Sequence, residues 1–334
     1  MPRFDLTSEQ LRAYQPAVDE PADFDDFWGE TLRAARGAGE PTRRVATTGP
    51  LALADVVDVT FPGFAGDPVS AWLVLPRGLE HPLPAIVEFV GYGRGRGLAH
   101  ERLHWPVAGF AQLIVDTRGQ GSTWGTGGVT ADPHGSGPAV PGSLTRGLDD
   151  PSEYYYRRVF TDAVRAVDAV RGFAEIDPRR VAVTGNSQGG LIAIAAAGLS
   201  DGLVAALPTS PILCDVRRVI GLTDHDPHAE ISRYLAVHRR AEDRVFRTLS
   251  YFDGVNFARR ASAPALFGCG HLDPIAPPSG VYAASNLWAG PSEMVDYPWN
   301  GHEGGEGAHW LRQVEWLSDL LARSSPAGSA GDTA

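Results

Sequence analysis

The segment VAVTGNSQGGLIAIAAAG, residues 181–198, constrains the fold more than any other stretch of the chain. Val181 to Val183 read as a buried strand and Leu191 to Ala197 as a buried helix, and only Gly185-Asn186-Ser187-Gln188-Gly189 turns one into the other. A strand that feeds a helix through so short a turn is the building unit of a doubly wound, mostly parallel α/β sheet. The neighbouring sequence repeats the pattern. AIVEFVG (85–91) and AQLIVDTRG (111–119) are near-continuous apolar runs that end in glycine, as central strands buried on both faces do. RRVFTDAVRAVDAVRGFAEI carries Val159, Ala163, Val164, Val167 and Val170 at helical spacing. AALPTSP, APALFGCGHLDP and EMVDYPWNGHEGG read as three more strands, and AHWLRQVEWLSDLLAR as a closing amphipathic helix.

The flanks differ from this core. Residues 5–40 read as helix and linker, with the acids of DFDDFW early and the arginines of GETLRAARGAG late, as a helix dipole favours. ADVVDVTFPG and PVSAWLVLP read as antiparallel strands around a Gly/Pro turn. Residues 214–262 are rich in charge and helix formers and read as a mostly helical insertion. The expected organisation is one domain over 1–322, in which 1–80 supply an N-terminal extension and the first strands, with a flexible tail over 323–334.

Composition narrows the partners. A net charge of −11 disfavours nucleic acid and anionic membranes, which select basic faces. The N-terminus lacks the apolar core of a signal peptide, and LIAIAAAGL is shorter than the roughly 20 residues that cross a bilayer. Cys214 and Cys269 cannot build a disulfide framework, which fits a cytoplasmic setting, and no Cys/His spacing suggests zinc or another metal.

Ser187 carries the candidate chemistry. A serine hydroxyl becomes a nucleophile only beside a base, an acid that orients the base, and donors for an oxyanion. Gly-x-Ser-x-Gly on a strand-to-helix turn exposes such a hydroxyl above the sheet, and the acid and histidine then follow in that order after later strands. Asp273 follows the strand in LFGCGHLDP, and His302 lies in the loop after VDYPW. Asp253 and Asp296 compete for the acid role, and Ser187 as a helix cap is the competing reading of the serine. His271 stands two residues from Asp273 as a possible pocket residue. His309 reads as structural, and His225 and His228 in HDPH as a loop rather than a metal site. The first oxyanion donor would be the backbone N–H of Gln188 and the second that of Tyr92 in VGYGRGRG. That loop lacks a nucleotide-binding spacing, although Arg94 and Arg96 leave anion binding open.

These residues fall into three ordered signatures: RGQ at 118–120, GNSQG at 185–189 and HE at 302–303. With FDDFW, VDVTFPGF, YYYRRVFTDAVRAVDAVR, LSYFDGVNFARR and ASNLWAGP, the chain resembles carbohydrate esterase family 7, the acetyl xylan esterases and cephalosporin C deacetylases, over about residues 5–322. The resemblance implies an α/β-hydrolase fold with an N-terminal extension and an insertion, and deacetylation of small acetylated sugars and cephalosporin C without a cofactor. It further implies Ser187 as nucleophile, Asp273 as acid, His302 as base, Tyr92 and Gln188 as oxyanion donors, and Arg118 and Gln120 as structural residues holding loops near the site. A homohexamer with inward-facing active sites is implied as well. The chain departs from the family pattern at Val90, Gly93, Asn186 and His271. An esterase or peptidase of different acyl preference, and a non-catalytic scaffold, are the rival readings.

Overall fold

The computed structural model describes residues 4–135 and 137–324. Two N-terminal helices, α1 (Ser8–Arg12) and α2 (Phe24–Arg36), precede three strands, β1 (Arg43–Ala46), β2 (Ala54–Pro62) and β3 (Pro68–Pro76). The alternating core follows as β4 (Leu83–Phe89), α3 (His104–Val107), β5 (Ala111–Val115), α4 (Tyr155–Arg171), β6 (Ile176–Asn186), α5 (Gln188–Leu199) and β7 (Ala205–Thr209). Four helices come next: α6 (Val216–Leu222), α7 (His228–Val237), α8 (Glu242–Ser250) and α9 (Gly254–Ala258). The chain then returns to the sheet with β8 (Ala265–Gly270), α10 (Pro278–Asn286), β9 (Ser292–Tyr297) and α11 (Glu306–Ser324). Residues 323 and 324 of the expected tail are thus helical, and 325–334 lie outside the described residues. Among the described residues no helix is long and apolar enough to cross a membrane.

Among the described residues nine strands form one sheet, in the order β1-β2-β3-β5-β4-β6-β7-β8-β9. β1, β2, β3 and β5 pair antiparallel; β5, β4, β6, β7, β8 and β9 pair parallel. This is the α/β-hydrolase arrangement, a mostly parallel doubly wound sheet. Side chains alternate between the two faces of the sheet, as the two-residue period of a strand requires. Val87, Val181 and Val183 enter the core shared with α4 and α5, whereas Ile86 and Ala182 enter the one beneath α3 and α11. Glu88 interrupts the apolar run of β4. It is buried, and its carboxylate accepts hydrogen bonds from Arg102 and Gln112.

β1 and α10 have no counterpart in the sequence reading. β1 is a four-residue edge strand, too short for alternation to register. α10 is buried over nearly its whole surface, so its sequence carries no polar stripe to mark it.

The N-terminal helices belong to the core. Phe24, Trp28, Leu32 and Ala35 form one buried stripe of α2. Trp28 is 1% exposed, donates its indole N–H to Tyr251 O at 3.1 Å, and packs against Phe160, Phe252 and Phe257 at 6.0, 5.6 and 5.4 Å between rings. It therefore joins the extension to α4 and to the helices that follow β7.

His228, at the start of α7, is a second tie and not the loop residue expected. It is fully buried. Its Nδ1–H donates to Ile275 O at 2.9 Å, and its Nε2 accepts from Leu213 N at 3.2 Å, so both contacts need the neutral ring. Burial pulls its pKa down from 6.5 to about 4.

Trp28→Ala should lower the free energy of urea unfolding by about 3–5 kcal/mol; a loss below about 1 kcal/mol would mean that the extension is not part of the core. For His228, the unfolded chain takes up a proton near 6.5 while the folded protein resists it down to about 4. Its contribution is complete above pH 6.5 and is lost as the pH falls toward 4. His228→Gln should therefore remove about 1.4 kcal/mol per pH unit from the slope of unfolding free energy inside that window. An unchanged slope would show that another group titrates there.

Candidate active site

β6 ends at Asn186 and α5 begins at Gln188, so the whole turn rests on Ser187, with φ 62° and ψ −121°. Positive φ is strained for a residue with a β-carbon and persists only where the surroundings impose it. Here they do. Ser187 N donates to Thr209 O at 3.0 Å, and Ser187 O accepts from Leu191 N at 3.1 Å. A β-carbon on Gly185 would lie 2.3 Å from the backbone of Gly189, and one on Gly189 would lie 2.2 Å from Phe89 O. Strand and helix reach this closeness only because both positions are glycine. Ser187 occupies the N-cap position of α5, yet its side chain makes no capping hydrogen bond. The helix-cap alternative is not realised.

Asp273 and His302 come together from the loops after β8 and β9. His302 Nδ1 donates to Asp273 Oδ2 at 2.8 Å, and Asp273 Oδ1 accepts from Ile275 N and Ala276 N at 2.8 and 2.9 Å. Asp273 is fully buried, so three donors fix the carboxylate and the carboxylate fixes the imidazole. Ser187 and His302 open into one cavity of about 420 Å³ whose walls include Tyr92, Trp124, Asn186, Pro227 and Ile275.

The competing residues are occupied elsewhere. Asp253 caps α9 and accepts from the backbone N–H groups of Asp215, Val216 and Val255; burial pushes its carboxyl up to about 6. Asp296 accepts from His271 Nε2 at 2.7 Å and from the Tyr282 hydroxyl. His271 therefore turns toward β9 and α10 and does not line the cavity. His309 is buried within α11, beside Tyr297 and Gln313, and burial pulls its pKa down to about 4. His225 is half exposed beside Asp224.

The RGQ and GNSQG segments meet through their glutamines. Gln120 Nε2 donates to Gln188 Oε1 at 2.9 Å, and Gln188 Nε2 faces Gln120 Oε1 at 3.3 Å. This amide pair also holds the loop after β4: Gly93 N donates to Gln120 Oε1 at 2.7 Å, and Gln188 Nε2 donates to Val90 O at 3.3 Å. Tyr156 OH donates to Gln188 Oε1 at 2.8 Å. The Gln188 side chain is thus a buried tie between the turn and that loop. Its backbone N–H heads α5, where first-turn N–H groups have no partner within the helix.

Arg118 fixes the surroundings of Gln120. Its fully buried guanidinium donates to Asp162 through Nε and Nη2 at 2.6 and 2.8 Å, and to Asp67 and Asp132 through Nη1 at 2.9 and 3.4 Å. It joins α4, the β2–β3 turn and the loop after β5. Tyr92 is anchored from both ends. Its hydroxyl donates to Glu230 and accepts from Ser143 N, while its carbonyl accepts from Trp124 Nε1 at 2.7 Å. Glu230 also accepts from Leu144 N at 2.9 Å, and burial raises its carboxyl above the ordinary range.

Several of these residues escaped the sequence reading. Glu230 is an ordinary helical acid by sequence, and its partner Tyr92 lies 138 positions away. Trp124 and Ile275 sit in loops without periodicity. Of the two arginines in the glycine-rich loop, Arg96 is committed inward: it donates to Asp58 at 2.7 Å and lies 3.9 Å over the Trp72 ring. Arg94 lines the cavity, joined by Arg102, which the sequence did not single out.

Comparison with known proteins agrees with this architecture. Residues 1–320 match the acetyl xylan esterase (AXE1) family. An acetyl xylan esterase from Paenibacillus sp. R4 superimposes with a TM-score of 0.89 and 37% identity, covering 94% of this chain and 99% of that one. Acetyl xylan esterase 1 from Thermoanaerobacterium sp. JW/SL YS485 gives 0.87 and 30%, covering 95% and 99%. Acetyl esterase Axe7A of Xylanibacter ruminicola is 33% identical over 165 residues, which are 48% of this chain and 36% of that relative's length. A match across nearly the whole chain and two superpositions over nearly all of both chains lead to one conclusion: the chain belongs to the acetyl xylan esterase family and is a carboxylic ester hydrolase of the α/β-hydrolase fold.

Proposed function

We propose that the protein hydrolyses acetate esters of small alcohols through Ser187, His302 and Asp273. The observation that carries this reading is the shared cavity: Ser187, on its strained turn, and His302, oriented by Asp273, face the same space. His302 Nε2 takes the Ser187 proton as Oγ attacks the acetyl carbonyl carbon. Asp273 keeps the Nδ1–H tautomer and stabilises the imidazolium that forms. The carbonyl oxygen becomes an oxyanion, for which the backbone N–H groups of Gln188 and Tyr92 are the donors; a single such donor is worth about 10²–10³ in rate. Collapse expels the alcohol with the proton from His302 and leaves an acetyl-enzyme on Ser187. Water, activated by the same histidine, releases acetate. The reaction needs no metal or organic cofactor.

The substrate reading is an acetylated mono- or oligosaccharide of the xylo-oligosaccharide class, with cephalosporin C as a second acetate ester. A cavity of about 420 Å³ supports small esters over polymers. Trp124, Ile275 and Pro227 supply apolar surface for a short acyl group and a sugar ring. Assembly into a homohexamer and a cytoplasmic location complete the proposal and rest on the resemblance to the family and on cysteine usage.

Ser187→Ala should lower acetate release from p-nitrophenyl acetate by a factor of about 10⁴ or more while leaving the fold intact. Retention of more than about one hundredth of the activity would remove Ser187 from the mechanism. In a nitrophenyl ester series the acetate should be the best substrate and the octanoate the worst; a preference for octanoate, or cleavage of peptides, would overturn the acetyl reading.

A further inference from the structure

The cavity at Ser187 adjoins a second one of about 510 Å³, walled by Trp105, Trp310 and Thr209. Arg94, Arg102 and Asn186 are the residues that line both. An ester held at Ser187 whose alcohol half extends into the second space must therefore pass two guanidinium groups. We propose that Arg94 and Arg102 select acetate esters whose alcohol half carries a carboxylate, such as an acetylated uronic acid. The inference rests on the esterase reading and names its substrate class.

Among the described residues, neither guanidinium is saturated. The Nε atoms of both are buried with no hydrogen-bond partner among the described residues. Arg94 lies 4.9 Å over the Trp124 ring, and its ion-pair contact with Glu101 is 3.6 Å long. Glu101 meanwhile accepts from Thr126 Oγ1 at 2.6 Å and from Leu98 N at 3.2 Å. Arg102 gives Nη1 to Glu88, which Gln112 also satisfies. Of the acids facing these cavities, Asp226 accepts from Arg233 at 2.6 Å, and Glu303 from Asn300 and Gly301 N at 2.8 and 3.1 Å, while Glu88 is held by Arg102 and Gln112. Glu306, at the start of α11, faces the second cavity only. Two cations at the passage stand out in a chain of net charge −11, whose overall field repels acidic molecules. A planar guanidinium pairs with a carboxylate through parallel N–H donors, and stacking on an aromatic ring holds it flat for that contact.

The test compares two probes that differ at one group: an acetylated methyl glucuronopyranoside with a free carboxylate, and the same compound as its neutral, nearly isosteric carboxamide. Acetate release is measured at pH 7, with p-nitrophenyl acetate alongside. The wild-type protein should favour the acid in kcat/KM by about tenfold, the effect of one charge-assisted hydrogen bond, expressed mainly in KM. In Arg94→Gln the ratio should fall toward one, and Arg94→Lys should restore part of it. Arg102→Gln would strand the buried Glu88, so the variants are made at Arg94. The wild-type ratio needs no variant, and it should shrink as salt is raised from about 50 to 500 mM. If p-nitrophenyl acetate is cleaved but the acid is not preferred, or if Arg94→Gln keeps the full ratio, the inference fails while the esterase reading stands. If none of the three compounds is cleaved, the esterase reading itself fails.

Discussion

The positive φ of Ser187 is the constraint on which the site depends. A side-chain-bearing residue in that region costs about 1–3 kcal/mol, and the surrounding fold supplies what holds it there. β6 hands the chain to α5 with no residue to spare. Gly185 and Gly189 let the two elements approach within a distance no β-carbon allows. The result is a hydroxyl raised above the sheet, with a helix N-terminus behind it. Everything else is arranged around that point: Gln188 is drawn into the amide pair with Gln120, and that pair fixes the loop carrying Tyr92.

Much of this was legible in the sequence because it is written locally. Near-continuous apolar runs marked β4, β5 and β6, and the glycines of the turn marked where strand meets helix. Asp273 and His302 were legible because each follows a strand end, where α/β sheets gather their loops. What was not legible depends on which way a loop side chain points. His271 and Asp273 are two residues apart, yet one turns to Asp296 and the other to His302. Arg94 and Arg96 share a glycine-rich loop, yet one lines the cavity and the other packs on Trp72. A loop has no period, so its directions are set by tertiary partners. His228 shows the same limit on a helix: its two contacts, 15 and 47 positions away, make it a buried tie.

Buried charge holds the loops around the site. Arg118 is enclosed completely, and its partners Asp67, Asp132 and Asp162 come from three separated segments. Such a cluster is weak evidence for stability, since desolvation offsets much of the attraction, but losing one member leaves charges stranded. Its effect is positional: it locks the segment that presents Gln120. Glu88 and Arg102 repeat the device between β4 and the segment that follows it, and Arg102 also faces the cavity. The protein thus uses ion pairs where loops must be held in register, and leaves apolar packing to hold the sheet.

Stoichiometric labelling with a fluorophosphonate tests whether Ser187 is an activated nucleophile without reference to any substrate. Mass spectrometry of the digested protein should find one adduct per chain, on the peptide that contains Ser187, and none in Ser187→Ala. An unlabelled chain, or an adduct on a different serine, would remove Ser187 as the nucleophile.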